Sequence, residues 1–310
     1  MKLKTNQIKI ICNKLKCDLI SGRLLARGSH NESYLIKTKK KNYILKVENN
    51  PGYVKREYKM LAGLKEGLAP KVYFFDSSRK IIPKPYLIEE FLKGKNPPKK
   101  ANKGFIIQMA KWYKKLHSIK SLKIPNDEKK RIYSLFYWFE SNYKKFEKNK
   151  TMLDKKLGKE ISDKFKRALE ICKQNDKIFS NIINFSLNHN DPSKENVFIN
   201  KKKIRLIDWE FSGFGIPERD ILTFFRQYKL NKNQKNLFLK SYKYPTKSIK
   251  KLNVLFLILL ASDINYLINR LNSVKEGKIS SKQQNTNESS LNKRILEIFC
   301  MFKIALKEID

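Results

Sequence analysis

The sequence predicts an α+β chain of two lobes: a small N-terminal antiparallel sheet carrying one helix, and a larger, mainly helical C-terminal part. Three observations lead there. Short strand-like runs separated by polar turns fill the chain up to Leu92. The run Lys93-Gly94-Lys95-Asn96-Pro97-Pro98 then breaks every periodicity. Beyond it, apolar residues recur three and four apart, the spacing of one helical face. The expected domains are therefore residues 1–92, ending in a hinge, and residues 93–310.

Leu24 to Arg27 leads into the polar turn Gly28-Ser29-His30-Asn31-Glu32-Ser33, and Tyr34 to Lys37 leads out, the pattern of a hairpin with a flexible tip. A second turn, Lys39 to Asn42, feeds the strand Tyr43-Ile44-Leu45-Lys46-Val47. After Pro51-Gly52, Val54, Tyr58, Leu61 and Ala62 share a helical face, so a helix is expected over Val54 to Leu64. Further strands are expected at Lys71 to Phe75 and Tyr86 to Glu90, then helices at about Phe105 to Ser118, Tyr133 to Lys148, Asp163 to Gln174, Glu218 to Tyr228 and Leu291 to Lys307. A strand-like island, Asn184 to Asp208, interrupts the helices, and the polar stretch Asn272 to Ser290 reads as a loop.

Composition excludes more than it identifies. With 310 residues, 41% of them hydrophobic, there is ample apolar surface for two cores. The longest apolar stretch, Val254 to Ala261, falls well short of the roughly 18 residues of a spanning helix, so it reads as a buried helix. Met1 to Leu15 has no sustained apolar run of the kind a secretory leader needs, and a cytoplasmic location is expected. Cys12, Cys17, Cys172 and Cys300 form no CxxC pair and join no His at zinc spacing, which argues against a disulfide framework or a structural metal. A formal charge of +39 would attract nucleotides, nucleic acid or an anionic membrane without choosing among them. Because Lys is spread through every segment beside abundant Asn and Ile, compositional bias accounts for the charge as well as a dedicated patch does. Nucleic acid stays open as a partner but is not favoured; no protein partner is inferred.

Chemistry concentrates in the island. His189-Asn190-Asp191-Pro192-Ser193-Lys194-Glu195-Asn196 is followed, after a short hairpin, by Leu206-Ile207-Asp208-Trp209-Glu210. Phosphoryl transfer needs a carboxylate beside the acceptor hydroxyl and oxygen ligands for Mg²⁺ on the nucleotide phosphates, all on rigid, adjacent backbone. The spacing H-x-D-x-x-x-x-N meets that need on one loop: Asp191 as catalytic base, Asn196 as a metal ligand. The hairpin returns Asp208 as the second metal ligand. The competing reading, an Asp and an Asn that merely cap hairpin turns, leaves the upstream features unexplained.

Those features stand in kinase order. Lys46 lies on a strand whose neighbours Leu45 and Val47 point to the opposite face, which suits a reach to phosphate. Glu57, eleven residues on, is placed to pair with it. Taken singly, each would pass for a solvated charge. Gly28 and Ser29 belong to the expected phosphate-covering turn, which has one glycine where a protein kinase has three. Glu89, Glu90 and Phe91, just before the boundary, stand where a hinge would take a base edge by main-chain hydrogen bonds; the plain alternative is an edge strand.

From about Leu24 to Tyr228 the chain resembles the aminoglycoside phosphotransferase and choline kinase family of kinase-like enzymes. The likeness is carried by His189 to Asn196, Ile207 to Asp220, Ala69-Pro70-Lys71-Val72, Tyr86 to Leu92 and Leu116-His117-Ser118-Ile119. It implies a protein-kinase-like fold, ATP with GTP as an open alternative, and Mg²⁺. It also implies Lys46 on phosphate with Glu57 pairing it, Asp191 as base, and Asn196 with Asp208 on metal. His189 would support the loop without transferring a proton, and Asp220 would brace the loop, a position a plain helix N-cap would also fill.

The acceptor is expected to be a small-molecule alcohol. Only Trp209 to Pro217 separates Asp208 from the next helical pattern, which leaves no segment on which a peptide substrate could lie. Trp209, Glu210, Asp263 and Tyr266, with Trp112 and Tyr113, are candidates to line its pocket, though taken singly each reads more readily as a core aromatic or a helix-surface acid. His-Asn-Asp-Pro and Asp-Trp-Glu-Phe-Ser-Gly resemble microbial choline and ethanolamine kinases more than aminoglycoside enzymes, which more often carry Gly where Asn190 stands. Choline or ethanolamine is the first candidate, an aminoglycoside, amino sugar or sugar alcohol the second. An RNA-associated or non-catalytic nucleotide-binding protein is the reading from a different class.

Overall fold

The computed structural model describes all residues except 1–2, 29, 65–66, 202, 246–247, 279–286 and 310. In chain order the elements are α1 (Thr5–Lys14), β1 (Leu19–Arg27), β2 (Asn31–Thr38), β3 (Asn42–Glu48), α2 (Tyr53–Ala62), β4 (Val72–Asp76), β5 (Tyr86–Glu90), α3 (Lys103–His117) and β6 (Lys120–Ser121). There follow α4 (Asn126–Tyr133), α5 (Leu135–Asn149), α6 (Lys155–Gln174), β7 (Phe185–Asn188), β8 (Val197–Asn200), β9 (Lys203–Leu206) and β10 (Gly213–Gly215). The last four are α7 (Pro217–Gln227), α8 (Lys232–Tyr242), α9 (Ile249–Lys275) and α10 (Glu288–Lys307). Two compact units result: Met1–Ile119 with Leu187–Gly213 and Thr223–Tyr242, and Lys120–Ser186 with Phe214–Leu222 and Lys243–Asp310.

The first unit is built on an antiparallel sheet of order β1-β2-β3-β5-β4. Strand alternation gives the sheet two distinct faces. Tyr43, Leu45 and Val47 of β3, with Tyr34, Ile36, Tyr86 and Ile88 of its neighbours, pack under Ile8, Ile11 and Cys12 of α1. The sequence reading did not anticipate α1, because three apolar residues on a lysine-rich segment make a helix only when a sheet is there to receive them. Gly22 allows the approach: a Cβ there would lie 2.6 Å from the Ile8 side chain. Lys46 points to the other face, where the register Ile44↔Glu89 and Lys46↔Leu87 also places Glu89. The helix α2 packs along β3, β4 and β5.

Below the sheet, the segment after β5 is tied to β8 by paired Lys95–Ile199 backbone bonds of 3.0 and 2.9 Å. Gly94 makes this approach at φ +158, where a Cβ would meet the Ile199 carbonyl oxygen at 2.8 Å. The hairpin β8–β9 pairs Val197 with Leu206. Helix α3, capped by Asn102 accepting from Phe105 N, packs on α8 through the rings of Tyr113 and Phe238, with Phe224 of α7 against both.

Helices α5, α6, α9 and α10 make the core of the second unit, with Phe139, Phe146, Phe165 and Phe302 buried against one another. The expected helix Tyr133 to Lys148 is α5, which starts at Leu135: Ser134, extended at φ −135 and ψ 101, ends the preceding α4, which the sequence pattern did not predict, and caps α5 by accepting from Tyr137 N. The stretch expected as a loop from Asn272 begins as helix, since α9 continues to Lys275 and α10 opens at Glu288. Residues 279–286 of it lie outside the described residues. By length and composition α9, with a mean hydropathy of 1.6 over 18 residues, would pass for a membrane span; 61% of that stretch is buried within the protein, in keeping with a core helix.

Phe165 is fully buried, with ring centroids of Phe139, Phe146 and Phe302 at 5.5, 5.0 and 5.0 Å. Phe165→Ala is expected to cost about 3–5 kcal/mol, read as a lower urea midpoint at unchanged slope.

Candidate active site

Every residue described in this site belongs to the first unit. Burying an ammonium is unfavourable unless carboxylates compensate, and the side chain of Lys46 is 4% exposed with three of them around it. Its Nζ lies 2.6 Å from Glu57 Oε1, 3.2 Å from Asp208 Oδ1 and 3.7 Å from Glu89 Oε1. Burial alone would lower the lysine's pKa; Glu57, Glu89 and Asp208 together outweigh it and hold the ammonium well above its usual range. Four separate stretches of sequence thus meet at one cation. One ammonium cannot neutralise three carboxylates, and Glu89 carries the consequence. Burial, reinforced by the nearby Glu57 and Asp208 and opposed by Lys46, pushes its carboxyl up to about 8, and its Oε2 is buried without a hydrogen-bond partner. Glu90 points the other way, accepting from Arg205 Nη1 at 2.7 Å and from Lys71 N at 3.1 Å. With Phe91 it lines a cavity of about 780 Å³.

The loop from His189 to Asn196 is braced from within. Asn196 Nδ2 donates to Asp191 Oδ2 at 3.0 Å and to the Asp191 carbonyl at 3.2 Å, which leaves its amide oxygen as an acceptor. His189, fully buried, bonds through Nε2 to the Ile207 carbonyl at 3.0 Å and through Nδ1 to the Asp191 amide at 3.3 Å. A carbonyl only accepts and an amide N–H only donates, so the ring proton sits on Nε2. The histidine joins the Asp191 loop to the strand end before Asp208. Burial, with the Asp208 carboxylate adding to it, pushes the Asp191 carboxyl up to about 6.

The four residues from Asp208 to Phe211 each hold a different part of the site. Asp208, at φ +68, contacts Lys46. The Trp209 amide donates to Glu57 Oε1 at 3.0 Å. Glu210 lies 2.7 Å from His30 Nδ1 through Oε1 and accepts from Asn31 Nδ2 at 3.0 Å through Oε2. The Phe211 carbonyl accepts from Asn190 Nδ2 at 2.9 Å.

The expected residues fare differently. Lys46, Glu57, Glu89 and Asp208 meet, as do Asp191 and Asn196, and the bond from Ile207 N to Asn196 O, 2.9 Å, joins the two groups. Gly28 closes the β1–β2 turn, its amide donating to Asn31 O at 2.9 Å; Ser29 lies outside the described residues. Trp209 is fully buried with its indole N–H given to Leu206 O, and both Glu210 oxygens are engaged by the turn. Trp209 thus has no accessible face, and Glu210 no unengaged oxygen, to offer an acceptor. Trp112 and Tyr113 are buried in α3. Asp263 and Tyr266 stand on α9 in the other unit, Tyr266 54% exposed with Arg270 bonded to its hydroxyl. The sequence reading missed the grip of His30 on Glu210 and the place of Glu89 beside Lys46. Counting alternate residues along Tyr86 to Glu90 would have separated Glu89 from Glu90.

Among the described residues, no group of three or more His, Cys, Asp and Glu could hold a metal by itself. The one-third exposed Asp208 carboxylate and the spare Asn196 amide oxygen are nonetheless hard oxygen donors of the kind Mg²⁺ takes when phosphates supply the remainder.

A carboxyl whose pKa is raised on folding adds stability below its unfolded value that is lost as pH rises through its folded value. Glu89→Gln removes that loss. The stability of the variant relative to the parent is therefore expected to increase between about pH 4.5 and about pH 8 and to level off above it, measured by urea unfolding across that interval.

The model of the phosphotransferase enzyme family matches residues 21–242. No curated protein sequence matches the chain. Solved structures do. Choline kinase LicA from Streptococcus pneumoniae has TM-score 0.62 at 18% identity, over 96% of this chain and 100% of that one. The Plasmodium vivax ethanolamine kinase has 0.68 at 16%, over 97% and 89%. Spectinomycin phosphotransferase APH(9)-Ia, in complex with ADP and spectinomycin, has 0.60 at 17%, over 99% and 98%.

Proposed function

We propose, from the premise that this chain belongs to the phosphotransferase enzyme family, that it transfers the γ-phosphate of ATP to the hydroxyl of a small amino alcohol, choline or ethanolamine first. Membership makes it a small-molecule phosphotransferase of kinase-like fold. The observation that carries the mechanism is the convergence of Lys46, Glu57 and Asp208 within one set of contacts, joined through His189 and Ile207 to the Asp191–Asn196 pair.

In this reading Lys46, aligned by Glu57, contacts the α- and β-phosphates, and the main chain of Glu89 to Phe91 takes the base edge. Residues 1–92 carry that nucleotide site and residues 93–310 the catalytic loop and the acceptor. Asn196 and Asp208 would hold Mg²⁺, which supplies positive charge to the transferring phosphoryl group. Asp191 accepts the acceptor's hydroxyl proton as the new oxygen–phosphorus bond forms and the bond to the β-phosphate oxygen breaks, the electron pair leaving with ADP. A raised carboxyl suits that task, because a base is most effective with a pKa not far below the working pH.

Two observations support the acceptor ranking. LicA and the Plasmodium protein are a choline and an ethanolamine kinase by name. A net charge of +39 also repels a polycationic aminoglycoside more strongly than a monocation.

Asp191→Asn is expected to leave nucleotide binding nearly unchanged and to lower kcat at least ~100-fold, whereas Asp208→Ala should abolish metal-dependent nucleotide binding. Unchanged turnover in the first variant would remove Asp191 from the mechanism. In the parent, kcat/KM should fall on the acid side with a single-proton limb at or below about 6, the value of the metal-free carboxyl. A cation on Asp208 cancels that neighbour's repulsion and moves the limb lower. Assays with ATP and Mg²⁺ against choline, ethanolamine, sugar alcohols and aminoglycosides should show the highest kcat/KM on the two amino alcohols; a preference for an aminoglycoside reverses the ranking.

A further inference from the structure

We infer that His30 is a positioning residue for the nucleotide: with Glu210 it forms a clasp that fixes the β1–β2 turn against the segment bearing Asp208, and so sets how long the nucleotide's phosphate end is retained. The inference rests on the phosphotransferase reading, in which that turn covers phosphate.

Within the β1–β2 turn it is His30 that is held at several atoms. The His30 ring lies 2.7 Å from Glu210 Oε1 through Nδ1, and since a carboxylate only accepts, the ring donates. Asn31 donates to the other Glu210 oxygen at 3.0 Å. One carboxylate, 5% exposed, therefore grips His30 at the end of the turn and Asn31 at the start of β2 in a forked arrangement. The imidazole is also stacked on Tyr53 at 3.9 Å and 10°, and meets the edge of Phe211 at 5.5 Å. Its carbonyl accepts from the amides of Asn49 and Asn50, at 2.8 and 3.0 Å. The turn is thereby joined to the end of β3, to the first residue of α2 and to the two residues just beyond Trp209.

Position gives these contacts their meaning. Glu210 stands two residues after Asp208, so whatever moves the β1–β2 turn pulls on the backbone that aims the metal-binding carboxylate. Phe211, which the imidazole touches, accepts from Asn190 beside Asp191. A covering turn must also lift for ADP to leave. Lifting this one breaks the bonds to Glu210 and the ring stack, a barrier that acts on nucleotide exchange and not on the acceptor.

His30→Phe keeps a ring for Tyr53 and loses the donor, which separates stacking from the clasp. With a fluorescent ADP analogue in stopped-flow displacement, the dissociation rate is expected to rise roughly tenfold, the equivalent of one charge-assisted hydrogen bond, with a matching rise in KM for ATP and no change in KM for the acceptor. Glu210→Gln, which keeps an acceptor oxygen for only one of the two donors and removes the charge, should show a rise in the same direction. An unchanged dissociation rate in both variants overturns the clasp, as does an equal rise in both KM values. If His30→Phe does not fold, Glu210→Gln alone decides by the same two readouts. Absence of ADP-analogue binding by the parent is a different result: it removes the phosphotransferase reading, and the clasp with it.

Discussion

One buried ammonium organises this molecule's chemistry. Lys46 is reached by Glu57 from α2, by Glu89 from β5 and by Asp208 from the loop after β9, and no two of these carboxylates are near neighbours in sequence. Removing the ammonium from such a cluster leaves uncompensated carboxylates in low dielectric, so the lysine acts as a register pin for four segments. Its arithmetic is deliberately unbalanced: three acids to one base leave the pocket short of positive charge. A proton on Glu89 relieves part of the deficit, and a divalent cation arriving with the nucleotide would relieve more. The same imbalance that makes the resting site costly would favour a cation that arrived with phosphates to complete its ligands.

The second constraint is the economy of the segment from Asp208 to Phe211. Four consecutive residues hold, in order, the lysine, its glutamate partner, the β1–β2 turn and the catalytic loop. A regular strand or helix would send such neighbours in directions set by its own period. The left-handed backbone at Asp208, φ +68, sets that carboxylate off from the 3-10 turn Trp209–Phe211, which at three residues per revolution turns its own three residues toward unrelated partners. Trp209, buried and bonded to Leu206 O, anchors the segment so that the divergence is fixed.

The meeting of Asp191, Asn196 and the chain end at Asp208 was legible in the sequence because its geometry is local. Five residues on one tight loop confine Asp191 and Asn196 to hydrogen-bond distance, and a hairpin of fixed register brings the chain back at Asp208. The pairing of Lys46 with Glu57 was readable for a weaker reason, since order along the chain suggested it and only packing completes it. The acceptor residues were not legible. Residue type makes Trp209 and Glu210 attractive ligands, but composition does not say which way a side chain faces, and both turn inward to hold backbone and turn. Helix α1 was missed for the converse reason: its apolar residues mean nothing until the sheet is there, with Gly22 cleared to receive Ile8.

Asn190 shows how a residue that looks like a specificity marker can have a backbone explanation. Its φ of +67 lies in the left-handed region, where Gly and Asn are the residues tolerated at least cost. A Gly at this place would satisfy the dihedral; an Asn satisfies it and adds the bond to Phe211 O. The choice between them therefore reports how tightly the catalytic loop is braced against the segment after Asp208, and carries no information about the acceptor's chemistry. Selection among acceptors has to arise from side chains that approach the hydroxyl-bearing molecule itself and from the long-range field. The field acts before contact: a charge of +39 weighs against each additional positive charge an acceptor brings, most strongly at low ionic strength. A preference for singly charged amino alcohols over polycationic sugars would thus be partly a property of the whole surface, and would weaken as salt screens it.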